Sequence, residues 1–256
     1  MGNKKDITVR KLAEAELLHS LATERELSAL KDTFVTSMSH EFRTPLSAIQ
    51  SLTELLEDHY ERLSPEKRKG YFSVIRQEIQ RLTDMLQNVL LQGQLAAGKV
   101  VCHPRLVNVA ALCRQLGERL QRIFPQHPPI QFEGDATSPP TLADEQLLEL
   151  VLINLLTNAC KYSPTLVPIR LSVRRVGEEW EIQVADQGIG IPAENVAEIF
   201  SAFVRGRNIG NIKGTGLGLF IARACAELQG GRLELRPQAA PGSTFAFYLP
   251  WRPAPL

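Results

Sequence analysis

The chain lacks the features that mark secreted, metal-bound or membrane-embedded proteins. It has only four cysteines and no CxxC pair, which predicts reduced thiols, with neither a disulfide framework nor a zinc site. No window approaches the roughly 18 consecutive apolar residues of a membrane helix, and the first ten residues are charged, unlike a signal peptide. The formal net charge is only +1, which argues against broad nucleic-acid binding. We therefore expect a cytoplasmic chain with no membrane segment and no nucleic-acid partner.

What the sequence does contain is an ordinary globular composition. Hydrophobic residues make up 44% of the 256 positions and charged residues 22%, which excludes a disordered or collagenous chain. This length is enough for one large domain or two ordinary ones.

Apolar residues in the first third of the chain recur every three or four positions. From Leu27 to Leu56 this spacing predicts one face of a long helix, in which Pro45 predicts a kink. Ser64-Pro65-Glu66 is typical of a helix start, and Gly93 and Gly98 are expected to end this second helix. Its heptad seam consists of Phe72, Ile75, Ile79, Leu82, Leu86 and Val89. One hairpin cannot bury such a seam alone, so we predict that two chains associate into a four-helix bundle.

After Gly98 the apolar residues alternate, as they do in strands with one buried face. This alternation predicts strands at 130–132, 169–173, 180–184, 233–235 and 245–249. Helical spacing predicts helices at 109–120, 142–160 and 217–228. Paired strands with interspersed helices indicate helices packed on one face of a mixed or antiparallel sheet.

Two glycine clusters are candidates for phosphate binding. Asp186–Pro192 follows a predicted strand, and Gly214–Leu219 opens a predicted helix. Closely spaced glycines let the backbone approach a ligand, and a helix N-terminus attracts anions. Taken alone, each cluster is more often a plain tight turn, and neither matches the P-loop or the Rossmann fingerprint.

Asn154 and Asn158 lie four residues apart in a predicted apolar helix, so their amides share one face. A buried, unpaired amide is unfavourable, so both side chains need partners. One interpretation is hydrogen bonding at the helix end. The other is a site for Mg²⁺, which prefers oxygen ligands and shares phosphate oxygens, with Lys161 meeting a phosphate.

His40 differs from the other histidines in its neighbours. Glu41 is adjacent, Thr44 lies one helical turn further on, and Pro45 follows. A lone histidine on a helix is usually a bystander, and none of the others has a His or Cys at metal-ligand spacing. These bystanders are His19, His59, His103 and His127.

Six segments together resemble the motifs of sensor histidine protein kinases. The corresponding boxes are Ser39–Leu46 (H-box), Asn154–Lys161 (N-box), Asp186–Pro192 (G1), Ile199–Phe203 (F-box), Gly214–Leu219 (G2) and Gly242–Phe245 (the closing glycine box). Each box alone is a weak signal, but all six occur in the family's order and cover roughly residues 27–250.

The resemblance implies a helical hairpin forming a dimeric four-helix bundle, followed by an α/β sandwich, the Bergerat ATP-binding fold also found in gyrase and MutL. Residues 1–26 would be a signal-transmitting coiled-coil helix, 27–97 the dimerisation and histidine phosphotransfer domain, and 98–256 the catalytic ATP-binding domain. Asp6–Glu14 resembles the exit helix of a PAS sensor domain. The chain is therefore expected to be the cytoplasmic kinase core of a longer sensor, which could be membrane-bound.

The implied activity is ATP-dependent autophosphorylation of His40 and transfer of the phosphoryl group to an aspartate of a response regulator. Thr44 completes an E-x-x-T pattern that implies phosphatase activity toward the regulator. Glu41 would hold the other ring proton or act as a base, and Arg205 would stabilise the transferred phosphoryl charge. The implied partners are a second copy of the chain and the receiver domain of the regulator.

The implied cofactors are ATP and Mg²⁺. By resemblance, Asn154 and Asn158 would hold Mg²⁺, Lys161 would contact a phosphate, Tyr162 would lie against the adenine, and Asp186 would accept a hydrogen bond from the adenine amino group. The other implied nucleotide-binding residues are Gly188, Gly190, Ile191, Phe203, Gly214, Thr215, Gly216, Leu217, Gly218 and Thr244.

Two rival functions stay open at this point. One is a degenerate kinase that serves as a dimeric scaffold and binds nucleotide without transfer, which the intact His40, Asn158 and Asp186 disfavour. The other is an ATPase of the gyrase or MutL kind. Those enzymes carry an acid for water activation at the position of Asn154, so an amide there disfavours hydrolysis.

Overall fold

The computed structural model describes residues 38–123, 126, 129–135, 137–164, 167–202, 204, 216–236 and 241–253. Two compact units divide between Leu82 and Thr83. The division into 1–26, 27–97 and 98–256 stays a prediction, and its first segment lies outside the described residues. Across the described ranges, no helix combines the length and the apolar character needed to cross a membrane.

The described part of the chain begins with a helical hairpin. Helix α1 covers residues 38–59, a short 3-10 turn follows at Tyr60–Arg62, and helix α2 spans Pro65–Ala96. The predicted start of α2 is confirmed, because the Ser64 hydroxyl oxygen accepts a hydrogen bond from the Lys67 N–H at 3.3 Å. The Arg68 guanidinium lies 4.5 Å from the centre of the Tyr60 ring and links the turn to the second helix.

The helix ends differ in part from the expectation. Helix α1 continues through Pro45, where the kink stays a prediction. Helix α2 passes Gly93 and ends at Ala96, so the prediction that Gly93 helps to end it is wrong. Gly98 does so instead: its φ is +61°, and the Lys99 N–H donates to the Gln94 carbonyl at 2.9 Å. This helix end needs a residue in the left-handed backbone conformation, which glycine adopts with the least strain.

The predicted seam of α2 is only partly covered within one chain. Phe72 is 44% exposed, Ile79 50% and Leu86 52%. Val89, the last seam position, instead packs against the core of the second unit.

The second unit is an α/β fold whose elements agree with the predicted periodicities. Its strands are β1 Arg105–Val107, β2 Ile130–Glu133, β3 Thr141–Ala143, β4 Ile169–Val176, β5 Glu179–Asp186, β6 Arg232–Arg236 and β7 Ser243–Pro250. Its helices are α3 Val109–Ile123, α4 Glu145–Tyr162 and α5 Gly218–Leu228. Strands β1 and β3 were not predicted, and the expected helix start at 142 is wrong because β3 occupies that position.

The main sheet is mixed and has the strand order β2-β4-β5-β7-β6. Strands β2 and β4 are parallel, and the other neighbours are antiparallel. Helices α3, α4 and α5 pack against these strands and against one another, which makes a layer of helices on the sheet. Strands β1 and β3 form a separate antiparallel pair.

The core lies between the helices and the sheet. Side chains of α4 and α5 meet the inward-facing residues of the strands there, among them the fully buried Leu148, Leu152, Leu155, Ile182, Ile221 and Phe247. Asp144 caps α4, since its Oδ1 accepts from the N–H groups of Gln146 and Leu147 at 3.0 and 3.1 Å. Its Oδ2 accepts from the His103 N–H at 2.7 Å and so ties the incoming segment to the same cap.

Candidate functional site

The two asparagines of α4 face the first residue of α5. A Cβ added to Gly218 would lie 2.8 Å from Asn154 Oδ1 and 3.8 Å from Asn158 Nδ2. Asn154 Nδ2 donates to the Leu150 carbonyl at 2.8 Å, so this bond orients the amide and turns its oxygen toward α5. The prediction that Asn154 and Asn158 share one face of α4 is confirmed, and that face lies against the first residue of α5.

Within the described residues, no side chain caps the N-terminus of α5, whose N-cap residue is Leu217. The apolar side chain of Leu217 is buried and anchors the turn, while its carbonyl accepts from the Ile221 N–H at 2.9 Å. Gly216 precedes it at a φ of +69°, a conformation that favours glycine. A helix start of this kind, beside an amide oxygen, suits an anion with a bound cation.

Asp186 lies at the end of β5, paired with Ser243 of β7, and is buried. Its Oδ1 accepts from the Gly188 N–H at 2.8 Å and from the Ser243 N–H at 3.3 Å. Burial raises the pKa of this carboxyl, and the two N–H donors act in the opposite direction. Both bonds use Oδ1, so the orientation of the carboxyl is fixed without Oδ2.

The glycines around Asp186 are required by the protein's own backbone. A Cβ at Gly188 would lie 2.3 Å from the Tyr162 carbonyl oxygen, and one at Gly242 would lie 2.0 Å from the Asp186 carbonyl oxygen. Gly190 has a φ of +68° and would place a Cβ 3.2 Å from the Gly242 carbonyl oxygen. Three chain segments therefore meet so closely here that a side chain at Gly188 or Gly242 would not fit, and the φ of Gly190 also favours glycine.

The remaining predicted nucleotide contacts occupy the surrounding elements. Lys161 and Tyr162 end α4, and the Lys161 ammonium lies 5.3 Å from the centre of the Tyr162 ring. Ile191 packs against the core, and Thr244 pairs with Ala185 next to Asp186. Phe203, Arg205, Gly214 and Thr215 lie outside the described residues, so their predicted roles have no structural description.

The cysteines of the second unit are free thiols. Burial raises the pKa of Cys160 to about 11 and that of Cys225 to about 12, so both stay protonated at neutral pH. A protonated, buried thiol is a poor nucleophile and a poor metal ligand, which leaves Cys160 a packing role on α4.

His40 lies on α1 with its side chain exposed. The Thr44 hydroxyl, one turn further on, donates to the His40 carbonyl at 3.3 Å, and Thr44 is exposed as well. The Glu41 carboxylate contacts α2, where its Oε2 lies 3.2 Å from an Arg81 nitrogen. Sequence analysis did not identify Arg81, which no motif contains.

Two family models match the chain. Residues 30–98 match the model described as "His Kinase A (phospho-acceptor) domain". Residues 143–253 match the model described as "Histidine kinase-, DNA gyrase B-, and HSP90-like ATPase". The predicted fold order, a helical N-terminal region followed by an α/β ATP-binding fold, is confirmed.

Two histidine kinases show the same likeness. The chain is 30% identical over 243 residues to the circadian input-output histidine kinase CikA of Synechococcus elongatus, covering 92% of this chain and 32% of that protein. It is 29% identical over 260 residues to the histidine protein kinase DivJ of Caulobacter vibrioides, covering 100% of this chain and 43% of that protein. The chain thus spans less than half the length of either protein.

Solved structures of histidine kinases resemble the chain as well. Full-length ShkA in complex with AMPPNP has a TM-score of 0.64 and 28% identity, covering 86% of this chain and 46% of that one. The Acinetobacter baumannii histidine kinase AdeS has a TM-score of 0.65 over 83% of this chain and 98% of that one. At 21% identity, the likeness to AdeS shows the fold alone.

Proposed function

Because the chain belongs to the sensor histidine kinases, as their catalytic core, we propose that it phosphorylates its own His40 from ATP and passes the phosphoryl group to an aspartate of a response regulator. The observation that carries this proposal is the position of the two α4 asparagines against Gly218, the first residue of α5. Lys161 and Tyr162 follow these asparagines at the end of α4. An amide oxygen beside the N-terminus of a helix is what a metal-bound triphosphate needs.

The nucleotide would lie between this surface and Asp186. We place the phosphates at the α5 start, with Lys161 as a counter-charge, and the adenine near Asp186, whose carboxylate is fixed to accept from the amino group. The oxygen donor of Asn154 fits Mg²⁺, which prefers hard oxygen ligands and keeps several waters. When bound, Mg²⁺ would neutralise charge on the β- and γ-phosphates.

The acceptor chemistry fits an exposed imidazole. A neutral ring nitrogen of His40 attacks the γ-phosphorus, the bond from that phosphorus to the bridging oxygen breaks, and ADP leaves. The ring becomes more positive as the N–P bond forms, so the adjacent Glu41 carboxylate stabilises it or accepts the proton of the second nitrogen. Exposure of His40 gives both the ATP-binding unit and a receiver domain access to this nitrogen.

We propose that the active form is a homodimer. Phe72, Ile79 and Leu86 each expose between two fifths and three fifths of their surface along α2 in the single chain. A stripe of large apolar side chains at heptad spacing is buried when a second hairpin packs against it in a four-helix bundle.

We also propose phosphatase activity toward the regulator, with Thr44 orienting the attacking water. The Thr44 side chain is exposed one turn from His40, where a receiver docked over His40 would meet it. Its bond to the His40 carbonyl, at 3.3 Å, fixes the hydroxyl on that face. The competing interpretation is that this bond only adapts the helix before Pro45.

The test of the kinase proposal is labelling of the whole chain with γ-labelled ATP and Mg²⁺. Wild type should acquire an acid-labile, alkali-stable label, and His40→Gln should acquire none while binding ADP normally. His59→Gln is the matched control, since His59 is also exposed on the hairpin and should label like wild type. Nucleotide binding without any label in wild type would favour a scaffold, and phosphate release without label would favour an ATPase.

A further inference from the structure

Arg81 of α2 contacts the acid next to the acceptor histidine. Its guanidinium lies 3.2 Å from Glu41 Oε2, and a second guanidinium nitrogen lies 3.7 Å from Glu78 on its own helix. The side chains of Arg81 and Glu41 are 24% and 19% exposed, so the pair is largely shielded from water. This contact joins the two helices at the level of the phosphorylation site.

The contact with Arg81 limits the orientations that the Glu41 side chain can adopt. A glutamate on a helix surface samples many rotamers, and each orientation gives a different field at the neighbouring ring. The hydrogen bond from Arg81, together with the ion pair, selects one of them. Since positive charge develops on the His40 ring during transfer, a carboxylate held at one place stabilises it better than a mobile one.

We propose that Arg81 is a positioning residue for the reaction at His40: it acts through Glu41, whose carboxylate it holds beside the acceptor. Arg81 itself contacts neither the ring nor the nucleotide in this role. The inference rests on the proposed autophosphorylation of His40. It means that a residue of α2 assists the reaction of a residue on α1.

The experiment measures the initial rate of His40 labelling in the whole chain at several ATP concentrations. Arg81→Gln should lower the maximal rate about tenfold, because the Glu41 carboxylate is then held less firmly, while the half-saturating ATP concentration stays unchanged. Arg81→Lys keeps the charge and should recover to within about threefold of wild type. If circular dichroism shows that the glutamine variant does not fold, Arg81→Met, which keeps most of the aliphatic stem but not the charge, replaces it in every comparison below.

A double-mutant cycle tests whether the effect passes through Glu41. Glu41→Gln alone and Glu41→Gln combined with Arg81→Gln should label at the same rate, because position 41 then carries no carboxylate for the arginine to position. Glu78→Gln removes the other carboxylate near Arg81 and should label like wild type. These results together would support the positioning role.

Several results would overturn it. Independent, multiplying effects of the Glu41 and Arg81 substitutions would mean that Arg81 acts by another route. Unchanged or faster labelling of Arg81→Gln, or equal slowing by Glu78→Gln, would reject positioning in favour of a purely structural ion pair. Absence of label on wild type would refute the proposed function itself, which keeps the two failures apart.

Discussion

Replacing Asp186 by asparagine separates the folding role of this side chain from its proposed role in adenine recognition. The asparagine oxygen can accept the same bonds, from Gly188 at 2.8 Å and from Ser243 at 3.3 Å, so the local fold should survive. The second position then carries an NH₂ donor, which faces the donor amino group of adenine. Losing that hydrogen bond and opposing two donors should weaken nucleotide binding by about 1.5–3 kcal/mol, roughly ten- to a hundredfold.

The effect on stability depends on pH, with a definite sign. Burial raises the pKa of Asp186, so the folded protein binds this proton more tightly than the unfolded chain does. The stability from this group is fully present below the ordinary aspartate pKa of about 3.9 and is lost as the pH rises through the folded value. The asparagine does not titrate, so Asp186→Asn should be more stable than wild type at neutral pH, and this advantage should disappear near pH 4.

Two measurements check this reasoning. Titration calorimetry with metal-free ADP gives the affinity, and thermal unfolding without nucleotide between about pH 4 and 7.5 gives the stability difference. Asp135→Asn is the control of opposite sign, because hydrogen bonds from Thr137 lower the pKa of Asp135 and its removal should reduce stability at neutral pH. Unchanged ADP affinity would remove Asp186 from adenine recognition. A stability loss at neutral pH would refute the burial argument.

Three further substitutions test the metal site, the phosphatase and the dimer. Gly218→Ala adds a carbon 2.8 Å from Asn154 Oδ1 and should lower the affinity for nucleotide in the presence of Mg²⁺ about tenfold. Gly70→Ala, whose added carbon meets open space, is the control. Equal nucleotide affinities of Gly218→Ala and wild type with Mg²⁺ would contradict this prediction. Thr44→Ala should slow the decay of the phosphorylated regulator while autophosphorylation of His40 stays near normal. Equal slowing of both reactions would mean that Thr44 only shapes the helix around Pro45. Ile79→Glu should convert a dimer to a monomer by light scattering, whereas an unchanged mass would place the dimer face elsewhere.

Periodicity predicted the long elements because burial on one face imposes it. The heptad run of α2 and the alternation of β4 and β5 were identified for this reason. Strands β1 and β3 have three residues each, too few to show a period, and they pair Arg105 with Ala143 across a long stretch of chain. Their existence depends on that tertiary pairing, so β3 was mistaken for the first turn of α4.

The glycine motifs predicted the location of the candidate site better than the reason for each glycine. The sequence suggests that Gly188 lets a ligand approach, but the close neighbour in the structure is the Tyr162 carbonyl, 2.3 Å from an added Cβ. A glycine accommodates a phosphate and a neighbouring backbone for the same steric reason, so the sequence alone cannot distinguish them. The Asn154–Asn158 spacing was more informative, because helical geometry places the two amides on one face without knowledge of the partner.

The contact between Glu41 and Arg81 was only partly predictable from the sequence. In an antiparallel hairpin, residues at equal distances from the turn lie at the same level, and Glu41 precedes the 3-10 turn Tyr60–Arg62 by 19 residues while Arg81 follows it by 19. The pair was therefore predictable once the turn was located, but the sequence bounds the turn only by the apolar run that ends at Leu56 and the helix start at Ser64. Each residue of uncertainty moves a helix position by about 1.5 Å along the axis and about 100° around it, enough to turn Arg81 away from α1. The length of the turn thus decides which residues of α2 lie beside the His40 segment of α1, although no residue of the turn has a proposed role in the reaction.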